Sequence, residues 1–331
     1  MSRSLVARAP TRLDFGGGWT DVAPYCDERG GAVCNVAIAR YATATVALGD
    51  GTDGGPVSAG RASNDPLVQA ALHSSDISGA TAIVASDFPV GAGLGGSSAA
   101  GVALAGALAA LAGSPLDPTS LAERSRRTEV EELGIAGGFQ DHYAAAYGGA
   151  LLLTAGAPVH VERLELPDDI AGALTRRVVL VYTGESRVST RTVAAVADLC
   201  RAGDRGVCRA LDAMKGLAFD MAVALRAGDL DALGTLVGEH WAHQRRLHPS
   251  ISTARIDAIH GAAMKAGALG MKALGASGGG CVMAFARDGR EDELAAALDA
   301  LGERMTFVVD RDGFEVVARL EGRDESPDED G

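Results

Sequence analysis

The sequence predicts an α+β protein of two lobes, and three observations carry that prediction. A chain of 331 residues with 47% hydrophobic residues can bury a full core, and its length suits two lobes better than one small domain. The first half reads as β-compatible segments followed by small-residue helices, the second as long helices interleaved with short apolar strands. That order fits antiparallel sheets backed by helices, and no repeat at solenoid periods breaks it.

In chain order, a strand is expected over 5–9, a glycine-rich loop to about Tyr25, and strands over 32–38 and 41–48. A short helix over 67–73 and a strand over 81–85 lead to a helix over 97–112. The next helix, 118–133, opens on Asp117-Pro118-Thr119-Ser120 cap chemistry. Glycines between Gly134 and Gly138 break it before a helix over 139–147, and strands over 150–154 and 159–164 close the first lobe. After Asp168 come a strand at 177–182 and helices near 189–202, 208–227, 230–247 and 253–266. Strands at 271–274 and 281–286, a helix at 291–301 and strands at 305–309 and 313–320 complete the second sheet. The expected division is a first lobe of 1–168, a second of 169–321, and a tail of 322–331. That tail holds five acids against Arg323, a net −4, and is expected to stay solvated.

The formal net charge of −13 argues against nucleic-acid or anionic-membrane binding, which needs basic patches. Affinity for phosphorylated ligands must therefore come from a local site. Five cysteines without C-x-x-C spacing or a leader-type segment imply a reducing, cytoplasmic setting. The longest small-apolar run, 99–112, is too short and glycine-interrupted to span a bilayer.

The chemistry concentrates in Asp87-Phe88-Pro89-Val90-Gly91-Ala92-Gly93-Leu94-Gly95-Gly96-Ser97-Ser98-Ala99-Ala100. Here an apolar strand feeds a glycine turn that runs into a helix start. Such a turn lets backbone N–H groups converge on phosphate, and the helix terminus adds partial positive charge. Gly91, Gly93 and Gly96 satisfy a dinucleotide fingerprint, but the second strand with its acidic end is missing. The same glycines fit a Walker A loop except that Ser97 replaces the lysine.

The motif Pro-x-Gly-x-Gly-Leu-Gly-x-Ser-Ser-Ala resembles the phosphate loop of the galactokinase, homoserine kinase, mevalonate kinase and phosphomevalonate kinase (GHMP) superfamily. Three further blocks extend the resemblance over most of the chain: 8–21, with Gly17-Gly18-Trp19-Thr20-Asp21; 134–143, with Gly137-Gly138-Phe139-Gln140-Asp141; and 274–281, with Ser277-Gly278-Gly279-Gly280. Within the superfamily the set most resembles the D-glycero-D-manno-heptose 7-phosphate kinases, with L-fucokinase as neighbour. The resemblance implies a ribosomal-protein-S5-like N-lobe, a ferredoxin-like C-lobe and ligands held between them.

It also implies roles. Pro89, Gly91, Gly93, Leu94, Gly95, Gly96, Ser97, Ser98 and Ala99 would bind the nucleotide. Asp141, next to a helix start that favours an ionised carboxylate, takes the catalytic position, and Arg12 lies beside it to stabilise developing negative charge. Glu129 and Ser98 are the magnesium ligands; Glu129 alone reads as a solvated helix face, so that role rests on the resemblance. Asp14, Gly17, Gly18, Trp19, Thr20, Asp21, Gly138 and Gln140 are assigned to the acceptor. Asp21 would bond sugar hydroxyls, and Trp19 reads equally as a platform for a sugar ring or a hydrophobic plug. Gly278 and Gly279 contribute from the second lobe.

Two departures bear on the acceptor. Many heptose kinases carry lysines where this chain has Ala136 and Phe139, and Ser277 replaces a common glycine. A distal phosphate would then fall to Arg187 and Arg191 in the strand-to-helix turn at 182–191, which reads equally as a capped helix with exposed arginines. His240, His243 and His248 lack the partners of a metal motif. The expected activity is ATP- and magnesium-dependent phosphorylation of the anomeric hydroxyl of a heptose 7-phosphate or octose 8-phosphate, giving a 1,ω-bisphosphate. The rivals are a kinase of an unphosphorylated sugar, of L-fucokinase type, and a nucleotide-binding regulator without turnover.

Overall fold

Two long strands, β1 (Arg3–Gly16) and β2 (Ala32–Leu48), run antiparallel and form the spine of the first sheet. The sequence suggested that β1 ends before Pro10 and that β2 is two strands. Instead the ladder shifts register between Pro10 and Thr11 and resumes, with Ala39 and Arg40 left out of the pairing. Proline lacks a donor and is tolerated at such a bulge. The continuation carries Arg12 and Asp14 on a rigid strand rather than in a loop.

The computed structural model describes residues 3–48, 64–75, 77–185 and 190–321. The first lobe adds α1 (Tyr25–Arg29), α2 (Pro66–His73), β3 (Ala80–Ser86), α3 (Gly96–Leu111), α4 (Pro118–Arg126), α5 (Gln140–Tyr147), β4 (Ala150–Thr154) and β5 (His160–Leu164). β2 is long enough to pair with β4 through residues 32–36 and with β3 through residues 42–48. Helix α3 is small-residue throughout and buried from Ser98 to Ala110. It packs on β1 and β2, and its small side chains permit close approach. Helix α4 is capped by Asp117, whose side chain accepts from the Ser120 N–H at 2.9 Å. It then passes into a π-helical turn over Arg127–Glu132, a distortion that recurs at functional sites.

The second lobe comprises α6 (Asp168–Arg177), β6 (Val178–Tyr182), α7 (Thr190–Arg201), α8 (Arg205–Arg226), α9 (Leu230–Gln244), α10 (Ala254–Lys265), β7 (Gly270–Ala273), β8 (Cys281–Phe285), α11 (Glu291–Leu298) and β9 (Glu303–Met305). Its antiparallel sheet has the order β7-β8-β6-β9. Helix α6 was not expected, although Pro167, the acids at its start and Arg176-Arg177 at its end are start and stop signals. The strand expected at 305–309 lies instead at Glu303–Met305, and Val309 bridges to Ile38 of β2. The final strand, β10 (Glu315–Glu321), was expected on the second sheet. It pairs antiparallel with β1, giving the first sheet the order β10-β1-β2-β4-β5 with β3 beside β2.

The lobes share a core. Leu13, Phe15 and Val36 of the first sheet join Met221 and Leu225 of α8 and Met283 and Phe285 of β8 in one buried cluster. A Cβ at Gly16 would lie 2.4 Å from the Met221 sulfur, so α8 rests directly on the end of β1. Among the described residues no helix is long and apolar enough to cross a membrane.

Candidate active site

The glycine turn between β3 and α3 lies at the junction of the lobes. Gly91, Gly93 and Gly95 all have positive φ, and α3 begins after Gly95 with no side-chain cap, leaving its first N–H groups free for an anion. The second lobe braces this turn from behind. The Cys281 N–H donates to the Ala92 carbonyl at 2.7 Å, and a Cβ at Gly93 would come within 2.7 Å of the Leu274 carbonyl oxygen. Pro89, Gly91, Gly93, Leu94, Gly95, Gly96, Ser97 and Ser98 line a cleft of about 280 Å³; Ala99 does not, being buried in α3.

Asp141 sits in the first turn of α5, pressed onto this loop. A Cβ at Gly95 would lie 2.9 Å from its Cγ, so glycine is required there by contact as well as by φ. Arg12 Nε donates to Asp141 Oδ1 at 2.7 Å, and Arg12 Nη1 donates to the Gly93 carbonyl at 2.8 Å. One buried guanidinium therefore ties the carboxylate to the glycine turn.

In the same cleft the Ser98 hydroxyl donates to Glu129 Oε2 at 2.9 Å, both residues being buried. Burial pushes the Glu129 carboxyl up, and the hydroxyls of Ser97 and Ser98 pull it back. A carboxylate and a hydroxyl together make an oxygen-only donor pair suited to a hard cation that keeps waters as its other ligands. Among the described residues no group of three or more His, Cys, Asp or Glu side chains is set to hold a metal, which includes the histidines of α9.

Another part of the cleft is built from β1, the loop after it and the start of α5. Gln140 N–H donates to Asp21 Oδ2 at 3.1 Å, and a Cβ at Gly138 would lie 1.9 Å from that oxygen. Burial and the Asp141 charge raise the Asp21 carboxyl to about 7. Burial would also raise Asp14, but Lys272, 2.7 Å away, together with His240 and Arg12 outweighs it and holds Asp14 below its ordinary value. Asp14 Oδ1, Asp21 Oδ1 and Gln140 Oε1 have no hydrogen-bond partner among the described residues, and all three side chains line the cleft.

Other assignments land elsewhere. Thr20 is buried and off the cleft wall; its hydroxyl lies 2.7 Å from the Gly17 carbonyl and accepts from the Ala32 N–H at 3.1 Å, fastening the loop to β2. Gly17 is packed under it, 1.9 Å from the Ala32 oxygen for a notional Cβ. Gly18 and Trp19 do line the cleft, yet Trp19 is also buried against Tyr25 and Val193. Gly279 lines the cleft, whereas Gly278 donates its N–H to Ile251. Ser277 adopts φ +62° and accepts from Gln244 Nε2 at 3.0 Å. Arg191 is exposed on the first turn of α7 and off the cleft wall, and Arg187 lies outside the described residues.

Three residues were not singled out from the sequence for a site role. Lys272 of β7 is wholly buried on Asp14, and His240 of α9 is buried beside Gly16 with neither ring nitrogen partnered among the described residues. His142 follows Asp141 and meets Glu129. A lysine between apolar strand residues and a histidine one position after the catalytic candidate are the signals that marked two of them.

Residues 65–149 match the GHMP kinases N terminal domain, and residues 221–304 match the GHMP kinases C terminal region. The chain is a GHMP kinase. The match includes a D-glycero-alpha-D-manno-heptose 7-phosphate kinase of Campylobacter jejuni, 28% identical across 89% of this chain and 93% of that one. A mevalonate kinase of Pyrococcus horikoshii is 32% identical across 75% of this chain and 72% of its own length. The structure of a D-glycero-D-manno-heptose 1-phosphate kinase from Bacteroides thetaiotaomicron superposes with a TM-score of 0.73 at 25% identity, covering 98% of this chain and all of that one. This kinase is therefore ATP-dependent, and GHMP kinases use ATP with Mg2+.

Proposed function

We propose that this kinase transfers the γ-phosphoryl group of ATP to the anomeric hydroxyl of a higher-sugar phosphate, a heptose 7-phosphate or an octose 8-phosphate. The observation that carries the acceptor class is the set of unpartnered oxygens on Asp14, Asp21 and Gln140. Buried acceptors without donors are costly, and a ligand rich in hydroxyls supplies the missing protons.

The residues divide the work. The phosphate loop and the open start of α3 receive the nucleotide phosphates. Asp141 orients the acceptor hydroxyl and takes its proton, and Arg12 holds that carboxylate in place while offering positive charge to the moving phosphoryl. Ser98 and Glu129 would hold magnesium, which neutralises the outer phosphates. Asp14, Asp21 and Gln140 fix the sugar, so proximity and orientation come from the rigid ends of β1 and α5.

A kinase of an unphosphorylated sugar is the second reading, because Arg12 is the one Lys or Arg on the cleft wall among the described residues. Steady-state kinetics with heptose 7-phosphate, octose 8-phosphate, free heptose and L-fucose separates the two. A kcat/KM at least a hundredfold higher for a phosphorylated sugar supports the first reading. Equal values, or a preference for a free sugar, support the second.

A further inference from the structure

Glu129 lies beside buried groups that the proposed chemistry does not use. His142 Nε2 lies 3.3 Å from Glu129 Oε2, the same oxygen that receives the Ser98 hydroxyl. On the other side of the ring, His142 Nδ1 lies 2.9 Å from the Ser125 hydroxyl, which is itself 3.3 Å from the Ser98 carbonyl. These groups come from α3, α4, the π-helical turn and α5, and Ser98, Ser125, Glu129 and His142 are all buried. Room for them is made deliberately: a Cβ at Gly101, inside α3, would lie 2.3 Å from Ser125 Oγ. A glycine there costs the helix about 1 kcal/mol relative to alanine.

We propose that His142 is a positioning residue for the ion site, donating its Nε2–H to Glu129 and fixing the carboxylate in the rotamer that meets magnesium. This rests on the reading of Ser98 and Glu129 as the ion's ligands. A carboxylate only accepts, so the proton between the pair belongs to His142 Nε2. Nδ1 then accepts the single Ser125 proton across the shorter 2.9 Å contact, in place of the Ser98 carbonyl at 3.3 Å, and this selects the tautomer, as ligand-orienting hydrogen bonds do around metals. With its proton committed to Glu129, the Ser98 hydroxyl presents its lone pairs to the cation. The ring thus acts through Glu129 and touches neither substrate.

Mn2+ binding, followed by electron paramagnetic resonance with a non-hydrolysable ATP analogue present, reads this directly. His142→Phe is expected to weaken Mn2+ binding 10- to 100-fold, with the magnesium requirement rising while kcat at saturating magnesium stays within about threefold of wild type. His142→Gln, which keeps a donor near the Nε2 position, is expected to recover Mn2+ affinity to within about threefold. In the wild type, nitrogen NMR of the histidine ring should show the Nε2–H tautomer. Unchanged Mn2+ affinity in His142→Phe, equal losses in Phe and Gln, or an Nδ1–H tautomer overturns the proposal. Glu129→Gln is the control that separates the two readings. If it weakens Mn2+ binding and His142→Phe does not, the positioning role fails alone; if neither does, the ion site fails with it.

Discussion

Lys272 Nζ on the second sheet lies 2.7 Å from Asp14 Oδ2 on the first, with side chains 0% and 4% exposed. The pair joins the lobes at the floor of the cleft, and it keeps Asp14 ionised in a place where burial opposes the charge. Removing one member leaves the other charge stranded, which costs far more than the intact pair contributes. Lys272→Met is therefore expected to lower stability by about 3–5 kcal/mol, while Lys272→Met combined with Asp14→Asn recovers a large part of that loss. Urea unfolding of the two variants checks it; a double variant no better than the single one would show that the pair is not what the fold depends on.

Asp141→Asn keeps the size and the contact with Gly95 but cannot take a proton. Turnover is expected to fall by about 10²–10⁴ with nucleotide affinity close to wild type, and stability to fall as well, because the buried Arg12 loses its partner's charge. Single-turnover transfer with calorimetric ATP binding makes the measurement. Turnover within a few-fold of wild type would remove Asp141 from the chemistry.

Ser98→Ala and Glu129→Gln act on one 2.9 Å contact, so their effects on the magnesium requirement should not add. Each variant alone is expected to raise the requirement about tenfold or more, and the double variant to go little beyond the worse single one. Magnesium titrations of all four proteins give the cycle. Titrations that overlay wild type place the ion elsewhere.

The parts that were legible in the sequence are those where neighbours in sequence are neighbours in space. The glycine turn of the cleft lies between a strand and a helix start written continuously from Ala80 to Ala100, and its glycines state their own backbone requirement. Asp141 and Gly138 belong to one short block. Contacts across the lobes left no trace of the partner: Lys272 and Asp14 are 258 residues apart, and a lysine between apolar neighbours marks itself without naming the carboxylate it meets. Thr20 looked like a ligand residue because polar residues in glycine loops usually are; its hydroxyl is instead consumed by the backbone of Gly17 and Ala32. The return of β10 to β1 was hidden for a similar reason. A strand's alternation shows which face is buried, not which sheet it joins.

Asp21 gives the last prediction, through pH. Burial first, and the Asp141 carboxylate second, raise its carboxyl to about 7, so the folded protein keeps a proton that the unfolded chain releases near pH 4. Between those values the native state binds more protons, and stability falls as pH rises. The benefit of a protonated Asp21 is full below about pH 4 and gone above about pH 7. Asp21→Asn removes this dependence. It should melt close to wild type at pH 4 and above it at pH 8, by an amount on the order of 4 kcal/mol for a shift of about three units. Its affinity for the sugar should drop as well, since an amide replaces one of the two carboxylates placed for hydroxyls. The Asp141→Asn variant supplies an internal check: with the neighbouring charge gone, the Asp21 carboxyl should titrate lower, which carbon NMR of the side chain reads. A wild-type Asp21 that titrates near 4, or an Asp21→Asn variant with no gain at pH 8, would show that the carboxyl is solvated in the free enzyme rather than held neutral until the sugar arrives.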